Sequence, residues 1–287
     1  MNGKVDLAER LAGLLRRMGL GEAAVRTEMF GDFPAPGLAP REITVYLPPT
    51  YRPGSTWPLL IALDGQNMAR WRLGPTLENL AAGNAIDPPV VISVPASADR
   101  VDEYGTAGLP DFMKRGRLAE AFQAFLTNEV VPAVRKRYGA GVDPARTGIF
   151  GASMGGLCAF DTAWRHPQVF GFAGIFSGSL WWRGDDSSPA AQQASRLAHR
   201  RVRETSAKPP VRFWFQAGTA DEDADRDDNG VIDAIQDTTE LIDTMVAHGF
   251  QRERDVFFTE TRRGRHHEAT WARELPKFFG WALPPKT

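Results

Sequence analysis

The feature that most constrains the fold of this chain is the segment Gly151-Ala152-Ser153-Met154-Gly155. An apolar stretch at residues 146–150 precedes it and is typical of a buried strand, whereas small and apolar residues at 154–164 predict a helix. A serine at such a junction, with glycine two positions away on each side, lies in a strained turn where larger side chains would clash with backbone. The segment therefore predicts that Ser153 is an exposed nucleophile at the end of a central strand.

Composition and charge argue against several classes of function. The chain has 287 residues and a formal net charge of -1, so nothing electrostatic favours nucleic acid or an anionic membrane as a partner. The sequence contains no apolar stretch of about twenty residues, so no membrane span is expected. Charged residues also interrupt the beginning of the chain, which lacks the apolar core of a secretion signal. We therefore expect a cytoplasmic protein with no nucleic-acid or membrane partner.

The rest of the chain alternates strand-like and helix-like segments. Strands are predicted at 42–47, 57–63, 89–94, 146–150, 172–176, 211–215 and 255–259, and helices at 118–138, 154–164, 238–248 and 270–281. This alternation predicts an α/β fold with a mostly parallel central sheet, flanked by helices on both faces. Leucines at helical spacing between residues 5 and 18 predict a further helix, so we divide the chain into an N-terminal helical appendage (1–30) and one α/β domain (31–287).

A serine hydroxyl is a poor nucleophile at neutral pH and needs a histidine base that a carboxylate orients. Three of the five histidines fall in or at the ends of helix-like segments, namely His166, His199 and His248. His266 and His267 remain, between the last predicted strand and the last helix, where the base of a doubly wound hydrolase belongs. The acid is expected beyond the preceding strand, where Asp221 lies in the turn and Glu222 is its close competitor.

Two backbone N–H groups are expected to hold the negatively charged oxygen of an acyl-transfer intermediate. The N-terminus of the helix after Ser153 offers the N–H of Met154. The second donor normally comes from the loop after the strand at 59–63, which reads Asp64-Gly65-Gln66-Asn67. Because glycine allows the backbone to approach a substrate closely, we expect the Gln66 N–H to be that donor, and a plain turn is the alternative.

A pair of adjacent tryptophans, Trp181 and Trp182, follows the predicted strand at 172–176. Flat aromatic faces bind rings and sugars well, so the pair predicts a substrate-binding pocket. Core packing is the alternative, and it applies to at least one of the two.

At this point the chain resembles a group of α/β hydrolases, the "putative esterase" family, which includes enterochelin esterases and feruloyl esterase domains. The resemblance runs from about Glu42 to about Trp281. It is carried by 63–67, 103–104, 125–132 with 137–138, 151–157, 177–182, 218–221 and 266–268 with Trp271.

The resemblance implies an α/β-hydrolase fold for residues 31–287 and a Ser153–Asp221–His266 triad that acts on carboxylic esters of small molecules without a cofactor. In that family the catalytic histidine precedes a tryptophan by five positions, which matches His266 and Trp271 but not His267. This sequence departs from many relatives in one respect, because Arg265 stands where they carry glycine.

A second motif lies between residues 225 and 236. Oxygen ligands fall at the first, third, fifth and ninth places of an EF-hand loop, glycine falls at the sixth, and a backbone carbonyl serves at the seventh. The candidate ligands are Asp225, Asp227, Asn229, Val231 and Asp233. Gln236 stands at the twelfth place, where a glutamate belongs, so we expect at most a structural calcium ion that braces the loop; a hydrated acidic turn is the alternative.

The sequence thus predicts an esterase that works through an acyl-enzyme. An acyltransferase would use the same acyl-enzyme but pass it to an alcohol, and capture of the acyl group by an added acceptor would identify it. In a catalytically silent binding protein the serine turn would be only a structural part of the fold. Failure of a fluorophosphonate to label Ser153 would identify such a protein.

Overall fold

One β-sheet runs through the part of the molecule that the structure describes. This structure is a computed structural model, and it describes residues 24–33 and 35–286. Its strands are β1 (Arg26–Asp32), β2 (Glu42–Leu47), β3 (Leu59–Leu63), β4 (Val90–Val94), β5 (Thr147–Ala152), β6 (Phe172–Phe176), β7 (Arg212–Ala220) and β8 (Val256–Arg265). Their order in the sheet is β1-β2-β4-β3-β5-β6-β7-β8.

Most of this sheet is parallel. The strands from β3 to β8 run in one direction, whereas β2 pairs antiparallel with β4 and β1 pairs antiparallel with β2. Every residue of β3, β4, β5 and β6 is buried, as the continuous apolar runs predict for strands that are covered on both faces. The predicted mostly parallel sheet is confirmed.

Helices cover both faces. They are α1 (Leu73–Ala82), α2 (Arg100–Glu103), α3 (Ala119–Ala124), α4 (Val131–Tyr138), α5 (Met154–Arg165), α6 (Pro189–Ala194), α7 (Leu197–Glu204), α8 (Asp233–Ala247) and α9 (Glu268–Ala282), and a π-helical turn (Phe125–Val130) joins α3 to α4. Alternate residues of each strand point to opposite faces and so divide the core into two clusters. α1 and α9 pack on one cluster, and α3, α4, α5, α7 and α8 pack on the other.

The N-terminal region departs from the sequence expectation. The predicted helix between residues 5 and 18 lies outside the described residues. Residues 26–32, which the sequence analysis left without a strand, form β1 at the edge of the sheet. The domain boundary expected between residues 30 and 31 therefore falls inside a strand.

Two strands near the C-terminus are longer than the apolar pattern predicts. β7 extends to Ala220 and β8 extends to Arg265, and these two residues are partners on the adjacent strands. β7 and β8 are parallel neighbours, so both strands end at the same edge of the sheet, where β5 also ends. Among the described residues, no helix has the length and apolar character that crossing a membrane requires.

Candidate active site

Ser153 occupies a strained turn between β5 and α5. Its backbone has a φ of 57° and a ψ of -127°, a conformation that side-chain-bearing residues rarely adopt. Its N–H donates to the carbonyl of Phe176 at 3.0 Å, which fixes the turn to the end of β6. A Cβ at Gly151 would lie 2.6 Å from the carbonyl oxygen of Gly155, and one at Gly155 would lie 2.8 Å from Asp64 Oδ2. Close packing therefore requires glycine at both positions.

Asp221 and His266 leave the sheet side by side. Because Ala220 pairs with Arg265, the next residue of each strand begins its loop at the same edge. Asp221 Oδ2 accepts a hydrogen bond from the N–H of Gly218 at 3.0 Å, which holds the carboxylate back over the end of β7. Asp221 Oδ1 is buried and has no hydrogen-bond partner among the described residues.

The electrostatic surroundings of His266 suit a neutral base. Burial of the imidazole among protein atoms lowers its pKa, the carboxylate of Asp221 raises it, and the guanidinium of Arg100 lowers it, with a net lowering from the ordinary value of 6.5. The ring packs edge-on against Trp271, with 5.3 Å between ring centroids. Trp271 in turn donates its indole N–H to Ser177 Oγ at 2.9 Å.

Ser153 and His266 lie where two cavities meet. We call the first the Trp181 cavity; it has a volume of about 370 Å³ and is lined by Ser153, Met154, Ser177, Gly178, Ser179, Trp181, Asp221, Glu222, Ala234, Asp237 and His266. We call the second the Arg100 cavity; it has a volume of about 250 Å³ and is lined by Asp64, Asn67, Trp71, Arg100, Ala152, Ser153, His266, Glu268 and Trp271. The structure thus brings Ser153, Asp221 and His266 together in one cavity wall.

The two competing residues are placed differently. His267 is the N-cap of α9, where its Nδ1 accepts the N–H of Ala269 at 3.0 Å, and it lines neither cavity. Glu222 does line the Trp181 cavity. Burial, followed by the charges of neighbouring carboxylates, raises the pKa of Glu222. The carboxylate that acts on the pKa of His266 is that of Asp221.

The two tryptophans pack against each other, with 5.8 Å between ring centroids, but they differ in burial. Trp181 is half-buried and lines the cavity that bears its name. Trp182 is completely buried in the core, where the guanidinium of Arg115 lies over its ring at 5.0 Å from the centroid. The expectation that Trp182 binds substrate is therefore wrong, and the alternative of core packing applies to it, because its ring is the inner member of the pair and does not line the cavity.

The two predicted oxyanion donors belong to different elements. Met154 is the first residue of α5 and lines the Trp181 cavity. Gln66 lies in a short 3-10 helix (Gly65–Asn67) after β3, and its neighbours Asp64 and Asn67 line the Arg100 cavity. The Gln66 side chain is engaged elsewhere, because its Oε1 accepts the N–H of Ala96 at 2.9 Å. A role for the Gln66 backbone N–H stays a prediction.

Sequence reasoning missed Arg100. Its guanidinium forms two hydrogen bonds to the Asp64 carboxylate, at 2.6 and 2.7 Å, and lies over the ring of Tyr104. Asp64 has a φ of 55°, and its own N–H donates to Tyr104 Oη at 3.1 Å. The signal available in the sequence was positional, because Arg100 follows the carboxyl end of β4, where ligand-facing residues of parallel sheets gather.

The acidic loop between β7 and α8 is held by its own hydrogen bonds. Asp225 accepts the N–H groups of Asn229 and Gly230 at 3.1 and 2.8 Å. Gln236 Nε2 donates to Asp227 Oδ2 at 2.9 Å, and the Arg226 N–H donates to Asp233 Oδ1 at 3.0 Å. Within the residues that the structure describes, no group of three or more His, Cys, Asp or Glu side chains is arranged to hold a metal ion. Calcium binding by Asp225, Asp227, Asn229, Val231 and Asp233 stays a prediction.

A strained serine turn after the central strand β5, with a carboxylate after β7 and a histidine after β8, defines an α/β-hydrolase fold. A family model described as "Putative esterase" matches residues 39–282, and the chain belongs to that family.

The chain is similar to several named proteins. It is 29% identical over 147 residues to the uncharacterized protein YbbA of Bacillus subtilis (strain 168), which covers 50% of this chain and 58% of that protein. It is 33% identical over 127 residues to the iron(III) enterobactin esterase of Dickeya dadantii (strain 3937), covering 44% of this chain and 27% of that protein. The chain thus spans less than two thirds of the length of either relative.

Solved structures show the same fold. The enterobactin esterase FES of Shigella flexneri superposes with a TM-score of 0.68 at 18% identity, covering 91% of this chain and 59% of that chain. A ferulic acid esterase superposes with a TM-score of 0.66 at 19% identity, covering 90% and 97%. At these identities the likeness establishes the fold.

Proposed function

We propose that this protein is a serine hydrolase of carboxylic esters, with Ser153 as nucleophile, His266 as base and Asp221 as the acid that orients the base. The observation that carries the proposal is the pairing of Ala220 with Arg265, because it makes Asp221 and His266 neighbours beside the strained serine. The buried Oδ1 of Asp221, which has no hydrogen-bond partner in the described part of the chain, supports it as well. Such an oxygen is costly to bury, and an imidazole N–H is the donor that would satisfy it.

In the first half of the reaction Ser153 Oγ attacks the ester carbonyl carbon. His266 accepts the hydroxyl proton, and Asp221 stabilises the imidazolium that forms. The lowered pKa of His266 keeps the imidazole neutral, and therefore able to accept that proton, at pH 7. As the tetrahedral intermediate collapses, the bond from carbon to the leaving alcohol breaks and His266 returns the proton to that alcohol.

In the second half a water molecule attacks the acyl-enzyme with His266 again as base, and the acid is released. In both halves the carbonyl oxygen becomes negatively charged. We propose that the N–H groups of Met154 and Gln66 hold it; one such donor contributes about 3 kcal/mol in other hydrolases. The reaction as proposed uses no cofactor, and a calcium ion in the loop at 225–236 would only brace the segment that follows Asp221.

We propose that the Trp181 cavity receives part of a small-molecule ester. Its volume of about 370 Å³ lies within the range of small-ligand sites, and it combines one indole face with hydroxyl and carboxylate groups. Relatives are named for enterobactin and feruloyl esters, so lactones of hydroxy acids and aromatic esters are the first substrates to compare.

The test is hydrolysis of short p-nitrophenyl esters together with labelling by a fluorophosphonate. We expect wild-type protein to hydrolyse the ester and to be labelled, and Ser153→Ala to do neither. Cys158→Ala is the matched control, since this buried thiol has no role in the mechanism. A Ser153→Ala variant with the parent rate would show that the nucleophile is wrong. Product that appears as an ester of an added alcohol, in preference to free acid, would identify an acyltransferase.

A further inference from the structure

The nucleophile has a hydroxyl beside it that the mechanism above does not use. Ser179 Oγ lies 3.4 Å from Ser153 Oγ, within hydrogen-bonding distance, and either oxygen is able to donate. Ser179 is only 4% exposed, and it lines the Trp181 cavity. A buried hydroxyl is normally hydrogen-bonded, and the Ser153 oxygen is the side-chain partner that the structure provides among the described residues.

The backbone holds Ser179 in this place. Its N–H donates to the carbonyl oxygen of Ser153 at 3.0 Å, so the two residues are joined by main chain as well as by side chain. The preceding Gly178 is tightly packed, because a Cβ there would lie 2.5 Å from Ile175 Cγ2. A Cβ at Gly156 in α5 would in turn lie 3.1 Å from Gly178 Cα. The turn that carries Ser179 is therefore packed directly against the serine turn.

We propose that Ser179 is a positioning residue that donates its hydroxyl hydrogen to Ser153 Oγ; this inference rests on the proposed esterase function. A serine hydroxyl has one hydrogen to donate and two lone pairs that accept. When Ser179 donates to one lone pair, the hydrogen of Ser153 is left to point toward His266. The contact thus selects the rotamer of the nucleophile in which proton transfer to the base is possible.

The same hydrogen bond favours the attack itself. As His266 removes the proton, negative charge develops on Ser153 Oγ, and a hydrogen bond to a charged acceptor is shorter and stronger than one to a neutral acceptor. Once that oxygen is bonded to the acyl carbon, its charge is gone and it accepts weakly. An interaction that is strongest in the transition state raises the rate of acylation without tightening substrate binding.

The experiment compares Ser179→Ala with Ser179→Thr, which keeps the hydroxyl. Three quantities are measured for each variant: the second-order rate constant of fluorophosphonate labelling, kcat and KM on a p-nitrophenyl ester, and the melting temperature. Labelling reports the attack step alone, because the phosphonylated serine does not turn over. Ser187→Ala is the matched control, since it removes an exposed hydroxyl elsewhere in the chain.

We expect Ser179→Ala to lower the labelling rate and kcat about tenfold, the size of one hydrogen bond to a charging oxygen. KM and the melting temperature should change little, Ser179→Thr should recover most of the rate, and Ser187→Ala should behave as wild type. The inference is overturned if Ser179→Ala labels within twofold of the parent, or if the alanine and threonine variants are equally slow. Labelling of Ser153→Ala is measured in parallel. If that variant is not labelled, the proposed function is supported whatever the result for Ser179; if it is still labelled, the proposed function itself is contradicted.

Discussion

Asp221 is the residue whose replacement tests the triad most directly, because its two carboxylate oxygens have different roles. Oδ2 accepts the N–H of Gly218, whereas Oδ1 is buried without a partner among the described residues. In Asp221→Asn the amide oxygen keeps the bond to Gly218, so the NH₂ group occupies the position of Oδ1. A donor then faces His266 where the imidazole N–H requires an acceptor.

The expected losses follow from that geometry. Asp221→Ala removes one hydrogen bond to an imidazolium, worth about 1.5–3 kcal/mol, which corresponds to a fall in kcat of roughly 10- to 150-fold. Asp221→Asn also selects the wrong tautomer of His266, and the same change in a serine protease lowers kcat about 10⁴-fold. The asparagine variant should therefore be slower than the alanine variant. Asp221→Asn should change the free energy of unfolding little, because it keeps the bond to Gly218. Asp221→Ala should lower it by about 1–3 kcal/mol, because it leaves the buried N–H of Gly218 without its acceptor.

The assay is kcat and KM on a p-nitrophenyl ester at pH 8, with urea unfolding to measure stability. Glu222→Gln is the matched control, since it changes the adjacent carboxylate in the same cavity, and we expect it to stay within about threefold of wild type. The reasoning is refuted if Asp221→Asn keeps the parent rate. If Glu222→Gln falls instead, Glu222 is the acid.

Two further predictions concern charge. Because His266 must be neutral to act as base and its pKa is lowered, activity should persist as the pH falls through 6.5 and decline only below that value. Arg100→Gln removes a positive charge that lowers this pKa and leaves the carboxylate of Asp64 unpaired, so the acid limb of the kcat/KM profile should move to higher pH; a limb that stays in place contradicts the assignment. For the loop at 225–236, a chelator should lower the melting temperature and added calcium should restore it. A bound ion stabilises the folded state by about 2.7 kcal/mol when free calcium is at a hundredfold excess over Kd. Identical melting curves would exclude a bound ion.

Local features were predicted well from the sequence. The strands at 59–63, 90–94 and 172–176 are continuous apolar runs, and burial on both faces of a parallel sheet explains that pattern. The serine turn is also local, because strain and close packing restrict the residues next to it. β1 escaped detection because it is an edge strand whose charged residues, Arg26 and Glu28, share a face with Phe30, so its sequence shows neither an apolar run nor an apolar face.

The choice of Asp221 or Glu222 as the acid of the triad, by contrast, depends on long-range structure. It depends on where β7 ends and on its register with β8, and a shift of one residue would turn the neighbouring side chain toward the base. That register is set by contacts between segments about 45 residues apart, such as Ala220 with Arg265. No spacing rule within the acidic segment itself encodes it.

The same reasoning explains why Trp181 and Trp182 were indistinguishable in the sequence and why Ser179 has no motif of its own. Each side chain takes its role from the direction in which one turn projects it, and that turn is positioned by packing of Gly178 against α5. Trp182 reaches the core, while Trp181 and Ser179 reach the cavity. Because the turn and Ser153 are joined by the bond from the Ser179 N–H to the Ser153 carbonyl, a displacement of the turn must also move the nucleophile. The wall of the Trp181 cavity and the serine turn are thus coupled through one short segment.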